Sequence, residues 1–244
     1  MSAEGAKRRK SGGGRRREPE AIPAVRVDGL VKEYGEVTAL AEVSIDVAAG
    51  ESIVLVGHNG SGKSTLLGLI AGTLEPTDGS VAIHGQAPDT MAARAMRSWL
   101  PDAPVLYDDL TVDEHLRFVA RLHGGSGDEP VIDELVERLG LAERRDQLPS
   151  QFSRGLRQKT AIAVALCRPF SVLLVDEPFV GLDAAGRAAM LDLLSEAHAD
   201  GSTVVVATHD PAVLERFDRG LVMSNGELVH DGPTTGLPDW LGGA

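Results

Sequence analysis

The run Gly57-His58-Asn59-Gly60-Ser61-Gly62-Lys63-Ser64-Thr65 brings phosphate-handling residue types together at a fixed spacing. Its three glycines let the backbone turn tightly and point N–H groups inward at anionic oxygens. The Lys63 side chain has the reach for the outer phosphates of a triphosphate, and the Ser64 hydroxyl is placed for Mg²⁺. This chemistry needs a strand before the loop and a helix after it. Ile53-Val54-Leu55-Val56 and Leu66-Leu67-Gly68-Leu69-Ile70 supply them, and the helix N-terminus adds its partial positive charge. The expectation is a site for a nucleoside triphosphate with Mg²⁺, formed by residues 57–65.

Whether the triphosphate is hydrolysed depends on a second group. Val172-Leu173-Leu174-Val175 is a continuous apolar run, the pattern of a strand buried on both faces, and Asp176-Glu177-Pro178 follows it. A carboxylate at that strand end holds Mg²⁺ directly or through water, which is the part expected of Asp176. Glu177 polarises the attacking water, as general base or as positioning group. A third piece, Thr208-His209-Asp210, ends the strand Thr203-Val204-Val205-Val206-Ala207. In open α/β sheets ligands bind where strand C-termini converge. There His209 either donates to the γ-phosphate or keeps the water and Glu177 in register.

The elements that must position these groups alternate in texture. Ala24 to Val27 and Ala39 to Val47 show period-2 alternation and predict two early antiparallel strands. Val81-Ala82-Ile83 reads as a short strand and residues 87–97 as a helix. Thr111-Val112-Asp113-Glu114 is a capping box, Val131 to Leu139 an amphipathic helix stopped by Gly140, and Leu156 to Cys167 a longer helix. Residues of about 100–165 therefore read as a helical subdomain inserted between parts of a sheet domain. Asp183 is a plausible N-cap for a helix over 184–199, Pro211 opens a short helix, and residues 219–230 form a hairpin turning at Asn225-Gly226. The fold class expected is α/β, a mixed sheet core with an antiparallel N-terminal part.

Bulk properties narrow the function classes. The chain has 244 residues and a net charge of −12. Residues 1–20 carry seven basic and three acidic side chains, net +4, which leaves −16 on the remainder. A body that acidic is a poor tracker of nucleic-acid backbones. Residues 1–22 read as a disordered basic tail, 23–236 as the folded domain and 237–244 as a C-terminal tail. The basic tail is a solvating segment, an attractor of anionic lipid, or a removable remnant. It lacks the apolar stretch of a secretory signal, and no run of about 18 apolar residues spans a membrane. The one cysteine, Cys167, excludes an internal disulfide and reads as a buried, inert thiol in a reducing compartment.

Over about residues 24–232 the chain resembles the nucleotide-binding subunit of an ABC transporter, a P-loop ATPase. Beyond the loop, the Asp176-Glu177 pair and His209, three further features carry the likeness. Tyr34 matches the aromatic that stacks on adenine. Phe152-Ser153-Arg154-Gly155-Leu156-Arg157-Gln158 resembles the signature LSGGQ and its helix, and Gly181-Leu182-Asp183 resembles the loop that crosses the dimer contact. The resemblance implies two subunits, identical or different, sandwiching two ATPs, with Ser153 and Gly155 serving the partner's nucleotide. It implies a separate membrane-spanning permease, docked near residues 100–125, where Tyr107, Asp108 and Asp109 offer an acidic patch to a basic segment. The location implied is peripheral, on the cytoplasmic face of the membrane. Arg154 in place of the first signature glycine resembles exporters. Asp102 stands where the family has a glutamine that touches Mg²⁺, and it either ligates the ion or weakens coupling to the permease. Soluble ABC-type ATPases that act in assembly or cofactor loading without a permease share all these motifs and form the alternative reading.

Overall fold

The structure is a computed structural model that describes residues 21–127, 130–235 and 237. Residues 1–20 of the expected basic tail, and all of the expected C-terminal tail but Leu237, lie outside those residues.

The chain begins with β1 (Val25–Tyr34) and β2 (Val37–Val47), followed by β3 (Ser52–Val56) and α1 (Lys63–Ile70). Next come β4 (Asp78–Ile83), α2 (Met91–Met96) and β5 (Arg97–Leu100), then the helical stretch α3 (Val112–Leu122), α4 (Pro130–Arg138) and α5 (Arg154–Leu166). The closing elements are β6 (Val172–Asp176), α6 (Ala184–Ala199), β7 (Thr203–Ala207), β8 (Arg219–Ser224) and β9 (Glu227–Pro233).

Two sheets result. One is antiparallel, in the order β2-β1-β4, and the other is mixed, in the order β5-β6-β7-β3-β8-β9. In the mixed sheet β5, β6, β7, β3 and β8 run parallel, and β9 returns antiparallel as the edge. All five residues of β3, β6 and β7 are buried, as parallel strands covered on both faces must be. Period-2 alternation sorts them. Val54, Val56, Leu173, Val175, Val204 and Val206 face the core built with α3 to α6. Ile53, Leu55, Val172, Leu174, Val205 and Ala207 face α1 and the antiparallel sheet. Cutting Leu173 or Leu174 to alanine would cost about 2–5 kcal/mol in transfer and cavity terms.

Caps set the helix starts. Thr111 and Glu114 form the reciprocal capping box of α3, Ser153 caps α5 and Asp183 caps α6. Cys167 closes α5 and is buried. Leu237, beyond the expected domain boundary, packs into the α3–α6 core against Gly220.

One expected helix is shorter than its pattern. Residues 87–97 hold only α2, and Arg97 already opens β5, which pairs in parallel with Val172–Val175 of β6. The ladder to β6 supplies backbone partners that an isolated helix turn at Arg97–Leu100 would lack. The short helix opened by Pro211 is a 3-10 helix, Pro211–Arg216.

Candidate active site

Strand register brings the chemistry together. Ala207 of β7 pairs with Leu55 of β3 on one side and with Asp176 of β6 on the other. The segments leaving those three parallel strands carry the phosphate loop, Glu177 and His209, so they emerge side by side at one sheet edge.

Gly57, His58, Asn59, Gly60 and Ser61 form the loop, and Gly62 occupies the N-cap position of α1 with φ of 105°. That left-handed backbone suits glycine, and an added Cβ there would come within 2.8 Å of Ala39 O. The first i→i−4 bond of α1 runs from Leu66 N–H to Gly62 O at 2.8 Å. The N–H groups of Lys63, Ser64 and Thr65 precede it and are left to an anion. Lys63 is buried, and its Nζ donates to Gly57 O at 2.8 Å and His58 O at 3.3 Å. The ammonium therefore sits in the curl of the loop.

Glu177 follows with φ of 46°, fixed by its N–H bond to Ala207 O at 2.8 Å. Its side chain is 12% exposed, its Oε1 lies 3.9 Å from Lys63 Nζ, and the same oxygen lies 3.0 Å from His209 Nδ1. His209 N–H donates to Glu177 Oε2 at 3.4 Å.

Asp176 is 2% exposed. Burial pushes its carboxyl above the ordinary carboxylate range; Glu177 and Asp102 add to the rise, while Ser64 and Lys63 oppose it. Its Oδ1 has no hydrogen-bond partner, and neither has the buried Ser61 Oγ. A buried, unpartnered carboxylate oxygen beside a hydroxyl is a donor set that a hard cation satisfies, so Asp176 and Ser64 fit Mg²⁺. Among the described residues no group of three or more His, Cys, Asp or Glu side chains forms a metal cage. Asp102 is exposed and is felt at Asp176 as charge.

The other expected site residues lie elsewhere. Tyr34 ends β1, half-exposed, with Lys32 Nζ 4.9 Å above its ring. Ser153 caps α5 by accepting from Leu156 N–H at 3.4 Å. Gly155 abuts Gly181 O so closely that a Cβ could not fit. Asp183 accepts from Gly186 N–H at 2.8 Å and pairs with Lys159 Nζ at 3.0 Å. None of the hydrogen bonds or ion pairs of the described residues joins Ser153, Gly155 or Asp183 to residues 57–65.

The ABC transporter family profile matches residues 40–180. The chain belongs to the ABC transporter family. ABC-type transporter ATP-binding protein EcsA of Bacillus subtilis (strain 168) is 33% identical over 221 residues, covering 88% of this chain and 90% of EcsA. Thiamine import ATP-binding protein ThiQ of Chelativorans sp. (strain BNC1) is 38% identical over 222 residues, covering 89% and 90%. The dimeric post-hydrolysis structure of the ATP-binding cassette MJ0796, bound to ADP and Pi, superposes with a TM-score of 0.79 at 27% identity, covering 86% of this chain and 98% of that cassette. The fold is thus the ABC ATPase cassette, and the activity is ATP hydrolysis that powers transport.

Sequence reasoning missed two side chains of this ABC site. Lys159 holds Asp183, and Arg187 pairs with Asp210, next to His209, at 2.5 Å. Neither falls in a recognisable motif; only the packing of α5 and α6 against the sheet brings them in.

Proposed function

We propose that this ABC ATPase hydrolyses ATP with Glu177, His209 and Lys63 as catalytic groups, and does so as the peripheral subunit of a separate permease. The observation that carries the catalytic part is the contact of one carboxylate oxygen of Glu177 with both Lys63 and His209. The loop N–H groups and Lys63 neutralise the phosphates. Asp176 and Ser64, with Asp102 nearby, hold Mg²⁺, which supplies charge neutralisation at the phosphoryl oxygens. Glu177 accepts a hydrogen bond from the attacking water and orients it. His209 holds Glu177 and presents its imidazole toward the outer phosphate. Tyr34 stacks on the adenine base.

Ser153, Gly155 and Asp183 belong to the partner's site in this reading, in a homodimer or a heterodimer. Two facts support it: no hydrogen bond or ion pair of the described residues joins them to residues 57–65, and the related MJ0796 cassette is dimeric with ADP and Pi.

A face for the permease is supported by Tyr107 and its surroundings. Tyr107 N–H donates to Nε2 of the buried His115 at 2.7 Å, and its ring meets Phe118 edge-on at 5.7 Å. Tyr107 and Phe118 stay partly exposed, as do Asp108 and Asp109. The sequence suggests an acidic patch, yet the neighbouring cavity of about 460 Å³ is lined by Arg94, Arg97 and Arg168 with Trp99 and Val105. The face carries both signs, so the partner must too. No helix of the described residues is long and apolar enough to cross a membrane. Export is the proposed direction, on the basic Arg154 that stands in place of the first signature glycine and is exposed.

Fractionation of cells that make the chain tests the partner. Retention with membranes, released by Tyr107→Asp, is expected. Full recovery in the soluble fraction would favour the permease-free assembly ATPase instead.

A further inference from the structure

Glu177 and His209 sit on different loops, one after β6 and one after β7. Their side chains stand 3.0 Å apart although His209 is 60% exposed. An exposed imidazole keeps such a distance only if its turn is fixed from behind. Thr208 fixes one side: its N–H donates to Leu55 O at 3.0 Å and its Oγ1 accepts from Asp210 N–H at 3.1 Å. Asp210 Oδ1 accepts from Ala212 N–H at 2.9 Å. The other oxygen, Oδ2, pairs with Arg187 Nη2 at 2.5 Å.

Arg187 rises from the first turns of α6 and does a second thing. Its Cζ lies 4.7 Å from the ring centroid of Phe179, which is buried two residues after Glu177. A guanidinium is planar, so it stacks by its face and pairs by its edge at once, which an ammonium cannot do. One side chain therefore touches both loops, Phe179 in the first and Asp210 in the second.

We propose that Arg187 is a positioning residue for ATP hydrolysis, clamping Phe179 to Asp210 and so setting the separation of Glu177 and His209. The inference rests on the reading of Glu177 and His209 as catalytic. Arg187 itself contacts neither of them and acts through the loops.

The test measures kcat, KM for ATP and thermal midpoint of the full chain, for Arg187→Ala, Arg187→Lys, Asp210→Asn and the double variant Arg187→Ala/Asp210→Asn. Misplacing a catalytic group by about 1 Å costs up to about 100-fold, so Arg187→Ala should lower kcat about tenfold with KM within about twofold. Arg187→Lys should recover part of the loss. The double variant should fall no further than the worse single variant, because both remove one contact. Glu177→Gln is run alongside. If it abolishes turnover while folded Arg187→Ala keeps wild-type kcat, the clamp is overturned and the catalytic reading stands. If Glu177→Gln turns over normally, both fall. Should Arg187→Ala fail to fold, Asp210→Asn breaks the same ion pair without touching α6, and wild-type kcat there overturns the clamp equally.

Discussion

His209 Nδ1 lies 3.0 Å from Glu177 Oε1, across two loops that leave neighbouring parallel strands. That contact depends on strand register more than on either residue. Asp176 and Ala207 are paired, so the next residue on β6 and the second on β7 face each other at the sheet edge. Lys63, at the start of α1 after the loop that leaves β3, completes the set. A carboxylate held between an ammonium and an imidazole is fixed in one orientation, which is what a group that positions water requires.

The buried carboxylate of Asp176 should trade stability for ion binding. Its charge is desolvated, one oxygen is unpartnered, and Glu177 and Asp102 repel it. Asp176→Asn removes that charge. Without divalent cations the variant should melt about 2–4 °C above wild type. Wild type should gain further stability from ATP with Mg²⁺, and the variant should lose that gain. Thermal melts with and without Mg²⁺ check both; a variant that melts lower and still responds to Mg²⁺ would contradict the assignment.

Gly155 gives a test of the signature. A methyl group there runs into Gly181 O, so the 181–183 loop has to move. Gly155→Ala should leave ATP affinity of the isolated chain within about twofold while lowering turnover about tenfold or more. Fluorescent-nucleotide titration beside a phosphate-release assay separates the two effects. Equal losses of affinity and turnover would mean that Gly155 serves its own chain's nucleotide.

The helical subdomain should show an acid limit at Asp113. Burial works to raise this carboxyl, but hydrogen bonds from Arg117 at 2.5 Å and Arg145 at 2.6 Å outweigh it and hold it below the ordinary range. A depressed folded value means stability that is present above the unfolded value, about pH 4, and lost as pH falls through the folded one. Asp113→Asn should cost on the order of 1 kcal/mol at pH 7, about 2–4 °C in a domain of this size. The gap to wild type should narrow as the pH falls below about 4 and through the depressed folded value. A gap that persists there would assign the loss to packing.

Much of this was legible because local chemistry and tertiary need agree. The apolar runs of β6 and β7, the glycine loop between β3 and α1, and the caps Thr111 and Asp183 each announce themselves within a few residues. Strand β5 did not. Arg97-Ser98-Trp99-Leu100 is four residues long, follows an Ala-rich helix with no turn residue between, and exists because β6 offers it a ladder. The Arg187–Asp210 pair was invisible for a related reason: the two residues are separated by most of α6 and all of β7, and no spacing rule links them. The mixed charge near Tyr107 was hidden likewise, since Arg94, Arg97 and Arg168 come from distant segments.

In the proposed function, Glu177 directs hydrolysis at a site completed by a second subunit. The most direct measurement is the turnover of Glu177→Gln beside wild type, with the mass of each followed with and without ATP. Wild type should hydrolyse ATP, and the variant should be inactive yet form a dimer that depends on ATP. A variant that hydrolyses ATP at the wild-type rate, or that stays monomeric with ATP bound, would contradict the account.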